Sequence, residues 1–114
     1  EALEAAIAAI RPGVISGEVD AASTSIIEKA GLYQYYRKRL GYSVGIAFPP
    51  DWGEGHIIDL KRNDPRTLAA GMTFHMPPAL RVDGMWGFGL SETVAVTETG
   101  CEVLTNFPRE LPVC

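Results

Sequence analysis

Two cysteines, two histidines and two tryptophans are all that 114 residues contain of those types, and each scarcity narrows what the chain can be. Cys101 and Cys114 are too few for a disulfide framework, so both read as free thiols and a reducing cytoplasm is the expected compartment. No run of about 18 apolar residues exists, and no basic-then-apolar opening resembles a secretory signal. Positive charge is also short: 10 Lys and Arg stand against 14 Asp and Glu, for a net charge of -4 and a pI near 5.1. Neutralising phosphates or anionic lipid headgroups takes clustered cations, so neither nucleic acid nor membrane is expected as a partner. Internal repeats and low-complexity tracts are absent. With two histidines and no Gly-x-Ser-x-Gly elbow around Ser91, a serine triad is not assembled.

What is present is ordinary globular composition, 46% apolar and 21% charged. A chain of this length supports one domain with one core, burying about 60% or more of its unfolded surface. Small neutral or zwitterionic ligands are compatible with that charge balance. The opening Glu1-Ala2-Leu3 is already in helical register, which reads as the continuation of an upstream part.

Leu3, Ile7 and Ile10 fall at i, i+4 and i+7, predicting a helix over residues 1–11 that Pro12-Gly13 ends. Ser16 or Gly17 can cap a second helix beginning near Glu18, with Val19, Ala22, Ile26 and Ala30 as its buried stripe and Gly31 as its stop. From Leu32 to Leu40, tyrosines and basic residues at helical spacing predict a short helix or an irregular bridge with buried tyrosines. After Gly41 the character changes. Tyr42 to Phe48 is apolar and glycine-punctuated, and Pro49-Pro50-Asp51-Trp52-Gly53-Glu54-Gly55 reads as a shaped loop. Strands are predicted over 57–60, 72–76, 80–82, 85–90, 93–97 and 101–104, with turns at Asp83-Gly84 and Thr99-Gly100. Helices first and strands afterwards argue an α+β fold, two N-terminal helices laid on a largely antiparallel sheet.

Several positions carry chemistry. Asp51, Glu54 and His56 are metal-ligand types, yet alternating glycines leave their geometry open; the segment reads as a polar loop around one packed tryptophan, or as a substrate-gating loop with Trp52 as an apolar wall. His75 lies in an apolar strand on the face opposite Phe74, either as a hydrogen-bonded core histidine or as a proton donor into a pocket. Glu92 is an exposed edge charge or a buried carboxylate.

Three phrases occur in order: Arg39-Leu40-Gly41-Tyr42-Ser43-Val44-Gly45, Gly71-Met72-Thr73-Phe74-His75, and Leu90-Ser91-Glu92-Thr93-Val94-Ala95-Val96-Thr97-Glu98-Thr99-Gly100. Behind a helix pair carrying Ile10-Arg11-Pro12-Gly13 and Glu18-Val19-Asp20-Ala21-Ala22, they resemble the closing half of the pita-bread catalytic domain of the creatinase and proline-dipeptidase superfamily. That resemblance implies the C-terminal part of such a domain. The family's metalloenzymes bind two metals through two aspartates, a histidine and two glutamates, and the aspartates would lie before Glu1. The histidine position matches Tyr42, the two glutamate positions match Pro77 and Ser91, and a substrate-contacting histidine position matches Pro49. Phenol, proline and hydroxyl do not rebuild an oxygen-and-imidazole cage for a hard cation.

The phrases resemble instead the metal-independent, ectoine hydrolase branch, whose members cleave carbon–nitrogen bonds in small compounds with organic side chains. The resemblance implies no metal and no other cofactor, a small-molecule substrate and a homodimer. In it Tyr42, His75 and Glu92 are the catalytic group, as hydrogen-bond donor, acid or base, and cation-binding or proton-relaying carboxylate. Trp52 and Asp51 contact substrate. A metal-dependent Xaa-Pro peptidase and a non-catalytic remnant used for dimerisation or binding are the alternatives.

Overall fold

The computed structural model describes residues 1–37, 39–48 and 54–110. Two helices, α1 (Ala2–Ala9) and α2 (Ser16–Lys29), are followed by a short 3-10 turn at Tyr33–Tyr35. Seven strands follow: β1 (Gly41–Ser43), β2 (Asp59–Leu60), β3 (Thr73–Met76), β4 (Ala79–Val82), β5 (Trp86–Gly89), β6 (Glu92–Val96) and β7 (Cys101–Val103). Five form one sheet in the order β2-β1-β3-β6-β7, each neighbour antiparallel, while β4 and β5 make a separate hairpin. The fold is α+β, with α1 packed on α2 and both laid against one face of the sheet.

Alternation along the strands sorts the side chains. Phe74, Met76, Val94 and Val96 are buried on the helix side, joined there by Leu60 and by Leu3, Ala6, Ile10 and Val19 from the helices. Burying each of the larger chains fully contributes about 1.5–3 kcal/mol. Tyr42, Thr73, His75, Thr93 and Ala95 occupy the opposite face and are half-buried. Gly41 is buried at the centre of the sheet because any side chain would collide with the neighbouring strand, an added Cβ lying 2.5 Å from the His75 carbonyl oxygen. That requirement hid β1 from a periodicity reading, which finds only apolar residues broken by glycine.

The helices correct the sequence expectation in two ways. The first ends at Ala9, short of residue 11, and the second begins at Ser16 rather than near Glu18, with Ile15 at its cap position. Ser16 is no side-chain cap. Its N–H donates to the Arg66 carbonyl at 2.8 Å, its hydroxyl donates to the Asp59 carbonyl, and the Gly17 N–H donates to the Asp64 carbonyl at 3.0 Å. A loop from elsewhere in the chain thus satisfies the first helical N–H groups, which otherwise lack partners. That loop is stapled by Asp64, whose carboxylate accepts from the backbone N–H of Arg66 and from its guanidinium, an arrangement that holds Asp64 below the usual carboxylate range.

The second correction concerns the stripe on α2. Val19 is buried as expected, but Ala22 and Ile26 are half-buried and Ala30 is exposed. The buried row is Ser16, Val19, Asp20, Ser23, Thr24 and Ile27, itself at helical spacing but largely polar. Asp20 explains much of it. Its carboxylate accepts the Leu40 N–H at 3.2 Å, fastening the helix to the residue that leads into β1, and Thr24 Oγ1 donates to the Asp20 carbonyl at 2.9 Å. Of the tyrosines expected to be buried, Tyr35 and Tyr36 are half-buried and Tyr33 is exposed; Tyr36 bridges to Leu80 of the hairpin.

Burial raises the pKa of Asp20, against the Leu40 N–H bond, which lowers it. The folded state therefore binds this proton more tightly than the unfolded one, and as pH rises from below the ordinary value of 3.8 through the raised value the folded state loses stability from this group. Asp20→Asn keeps an acceptor for Leu40 and removes the titration. Its melting temperature relative to wild type should therefore climb between pH 3 and pH 7, in thermal scans at matched ionic strength, whereas Asp20→Ala, which leaves the Leu40 N–H unpaired, should cost about 1–3 kcal/mol throughout.

Candidate active site

Antiparallel pairing brings one row of side chains together on the sheet face turned away from the helices. Tyr42 is the register partner of His75, and His75 is the register partner of Thr93. The Tyr42 and His75 rings lie 5.5 Å apart between centroids, tilted by 55°. His75 Nδ1 is 2.9 Å from Thr93 Oγ1, so this neighbour orients the ring. Among the described residues Nε2 has no partner, and it is the nitrogen available to exchange a proton with a bound molecule.

On the other side of Tyr42 the row continues. Asp59 is its register partner on β2, and Arg39 donates from Nη1 to Asp59 Oδ2 at 2.8 Å while its guanidinium carbon sits 5.2 Å from the Tyr42 ring centroid. Asp59 is nearly fully buried and Lys61 Nζ is 3.9 Å from the same oxygen. Gly55 lets the preceding loop close over this carboxylate, since an added Cβ would lie 2.6 Å from Asp59 Oδ1. Thr93, Arg39 and Asp59 were not found by sequence reasoning. Thr93 could have been, by extending the His75 alternation across a paired strand; nothing local marks Arg39 and Asp59, which are 20 residues apart.

Glu92 is set apart from this row. It pairs in register with Met76 and points to the helix side, where it is buried with Val94 and Val96. There Oε1 accepts from Arg109 Nε at 2.6 Å, and Arg109 Nη1 lies 3.8 Å from Glu4 Oε1 on α1. The expected grouping of Tyr42, His75 and Glu92 in one pocket wall is therefore corrected. Neighbouring residues on a strand face opposite ways, so it is Ser91, not Glu92, that shares the side of Thr93 and His75. Asp51 and Trp52, expected to contact substrate, lie outside the described residues. Cys101 is a free thiol that donates to the Ile7 carbonyl at 3.3 Å, and burial raises its pKa.

The donor set does not suit a metal. Among the described residues no three His, Cys, Asp or Glu side chains converge to hold one. At the positions matching family ligands the chain presents a phenol at Tyr42, a ring without a donor at Pro77 and a hydroxyl at Ser91, and the alternation keeps Glu92 from substituting for any of them. Among the described residues no helix is long and apolar enough to cross a membrane.

Comparison with known proteins agrees with this architecture. The profile of metallopeptidase family M24 matches residues 1–98. Ectoine hydrolase of Halomonas elongata is 38% identical over 111 residues, which is 97% of this chain and 27% of that protein. A probable dipeptidase, PepE, of Mycobacterium bovis is also 38% identical, over 98% of this chain and 28% of its own length. The crystal structure of dipeptidase PepE from Mycobacterium ulcerans superposes with a TM-score of 0.88 at 34% identity, covering 96% of this chain and 28% of that one. The chain thus spans little more than a quarter of the length of the relatives it matches.

If Thr93 orients the His75 ring, Thr93→Val should release it. The ring nitrogen-15 shifts of His75 should move toward those of a freely exchanging imidazole, while Thr93→Ser preserves the wild-type pattern. Identical spectra for the valine variant would show that the ring is held by something else.

Proposed function

This chain belongs to metallopeptidase family M24, and from that premise we propose that it forms one wall of the active site of a small-molecule hydrolase that opens a carbon–nitrogen bond without a metal. The substrate class is a cyclic amidine such as ectoine, with His75 as acid or base and Tyr42 as hydrogen-bond donor. The observation that carries the reading is the Tyr42–His75–Thr93 row: a half-buried imidazole with one nitrogen engaged and the other available, against a phenol where a histidine ligand would stand.

The chemistry follows from the parts. Hydrolysis of an amidine needs an oxygen nucleophile to form a bond to the amidine carbon and a proton delivered to the leaving nitrogen as the carbon–nitrogen bond breaks. His75 supplies the proton through Nε2, and its contact with Thr93 keeps the ring aimed between steps. Tyr42 donates its phenolic hydrogen to the polarised substrate, and the Arg39 guanidinium packed over its ring holds the ring in place. The nucleophile or its base comes from the rest of the protein. Glu92 takes no part in proton transfer here and fastens the sheet to Arg109 and α1.

A second reading has support of its own, because the dipeptidase relative is as similar as the ectoine hydrolase. It is a metal-dependent dipeptidase, and the donor set at Tyr42, Pro77 and Ser91 counts against it. Elemental analysis and turnover of the full-length protein separate the two. The proposal expects ectoine turnover that survives chelator and substoichiometric manganese, zinc or cobalt. Stoichiometric metal with Xaa-Pro cleavage would replace it with the second reading, and neither turnover would leave a non-catalytic role. His75→Ala should lower kcat by about 100- to 10,000-fold with little change in melting temperature; a loss of activity that merely tracks a loss of stability would remove His75 from the chemistry.

A further inference from the structure

Asp59 is the one member of the row across the sheet that the proposed reaction leaves without a task. It is buried on β2 beside Tyr42, and its two carboxylate oxygens have different surroundings. Oδ2 accepts from Arg39 Nη1 at 2.8 Å and lies 3.9 Å from Lys61 Nζ, whereas Oδ1 is buried and has no partner among the described residues. A carboxylate out of water with one oxygen unmatched is destabilising. The backbone contacts of this residue do not require it. Its main-chain carbonyl, not its side chain, accepts the Ser16 hydroxyl of α2, and its pairing with β1 is made by the backbone ladder.

Nor is the carboxylate placed to touch substrate. Gly55 lies across it so closely that an added Cβ would stand 2.6 Å from Oδ1 and 3.0 Å from Oδ2. Ser43 anchors that stretch of chain, its hydroxyl donating to the Glu54 carbonyl at 2.8 Å and its carbonyl accepting the Glu54 N–H at 3.0 Å. The loop backbone thus covers Asp59, and what the carboxylate reaches is Arg39.

Arg39 lies between Asp59 and Tyr42. Its side chain is 41% exposed, so a ring contact alone would leave a long, rotamer-rich chain free to sample solvent. A charge-assisted hydrogen bond to a buried, covered acceptor removes that freedom and sets the guanidinium carbon 5.2 Å from the Tyr42 ring centroid. His75, tilted by 55° at 5.5 Å, is the ring's neighbour on the next strand.

We propose that Asp59 is a positioning residue for Tyr42, fixing the phenol ring through Arg39 and with it the place of the hydroxyl on the reacting face. The assignment rests on the reading that Tyr42 donates to substrate; a misplacement of about 1 Å is enough to lower a rate by roughly 100-fold. Asp59 itself touches no reacting atom. Lys61, exposed and beyond hydrogen-bond distance from the same oxygen, adds little.

A double-mutant cycle in the full-length protein, with ectoine as substrate, tests the link. Asp59→Ala should lower kcat by about 10- to 100-fold, yet in a Tyr42→Phe background, where no hydroxyl remains to be placed, the same substitution should cost less than about two-fold. Asp59→Asn, which keeps an acceptor for Arg39, should retain part of the rate, and Lys61→Gln should match wild type. Should Asp59→Ala fold poorly, Arg39→Met cuts the same link from its exposed end and should show the same collapse in the Tyr42→Phe background. Equal losses in the two backgrounds would overturn the proposal, because a carboxylate that only supports the fold acts regardless of the phenol. Carbon-13 tyrosine labelling reads the ring without turnover: the Tyr42 ring resonances should move in Asp59→Ala and stay in Lys61→Gln. Ring resonances unchanged by Asp59→Ala would also overturn the proposal. Resonances that respond in a protein without ectoine turnover would instead overturn the proposed reaction and leave Asp59 as the residue that positions the ring.

Discussion

The alternation of side chains across an antiparallel sheet is the constraint on which the rest of this structure depends. Four strands, β2, β1, β3 and β6, are locked in register by the pairs Asp59–Tyr42, Tyr42–His75 and His75–Thr93. Those pairs place every second side chain on a polar, half-open face and every other one in the core. A slip of one residue would exchange Phe74 and Met76 for His75, so burial of two large apolar chains enforces the position of the imidazole. The apolar core and the candidate site are thus two faces of one set of hydrogen bonds.

The helix layer holds that register from behind, through polar contacts as well as through Leu3, Ala6, Ile10 and Val19 in the apolar core. Asp20 fastens α2 to Leu40, one residue before β1, and the backbone carbonyls of Asp64 and Arg66 receive the first N–H groups of the same helix. Glu92 belongs to this layer. Its pairing with Arg109, which also approaches Glu4 on α1, links the start of β6 to the first helix.

Much of this was legible in the residues. The order of helices and strands, the two turns at Asp83-Gly84 and Thr99-Gly100, and the opposite faces of Phe74 and His75 follow from periodicity and turn chemistry. The failures have physical causes. β1 does not show in the sequence because it requires the absence of a side chain at Gly41, which breaks the alternation a strand is read from. The buried row on α2 was misplaced because Asp20, Ser23 and Thr24 look solvent-facing, and the partner that makes Asp20 acceptable inside, the Leu40 N–H, lies 20 residues away. Glu92 was grouped with His75 because the family phrase places it beside the ligand position; one residue along a strand is the difference between a pocket and a core.

That single-residue distinction is the centre of the account, and Glu92→Gln in the full-length protein measures it most directly. The substitution keeps shape and removes the charge that pairs with Arg109. If Glu92 lies behind the sheet, the variant should unfold more easily, by about 1–3 kcal/mol, while kcat/KM of the folded protein stays within a few-fold of wild type. A loss of kcat by two orders of magnitude or more with an unchanged melting temperature would return Glu92 to the reacting face and contradict the two-sided division described above.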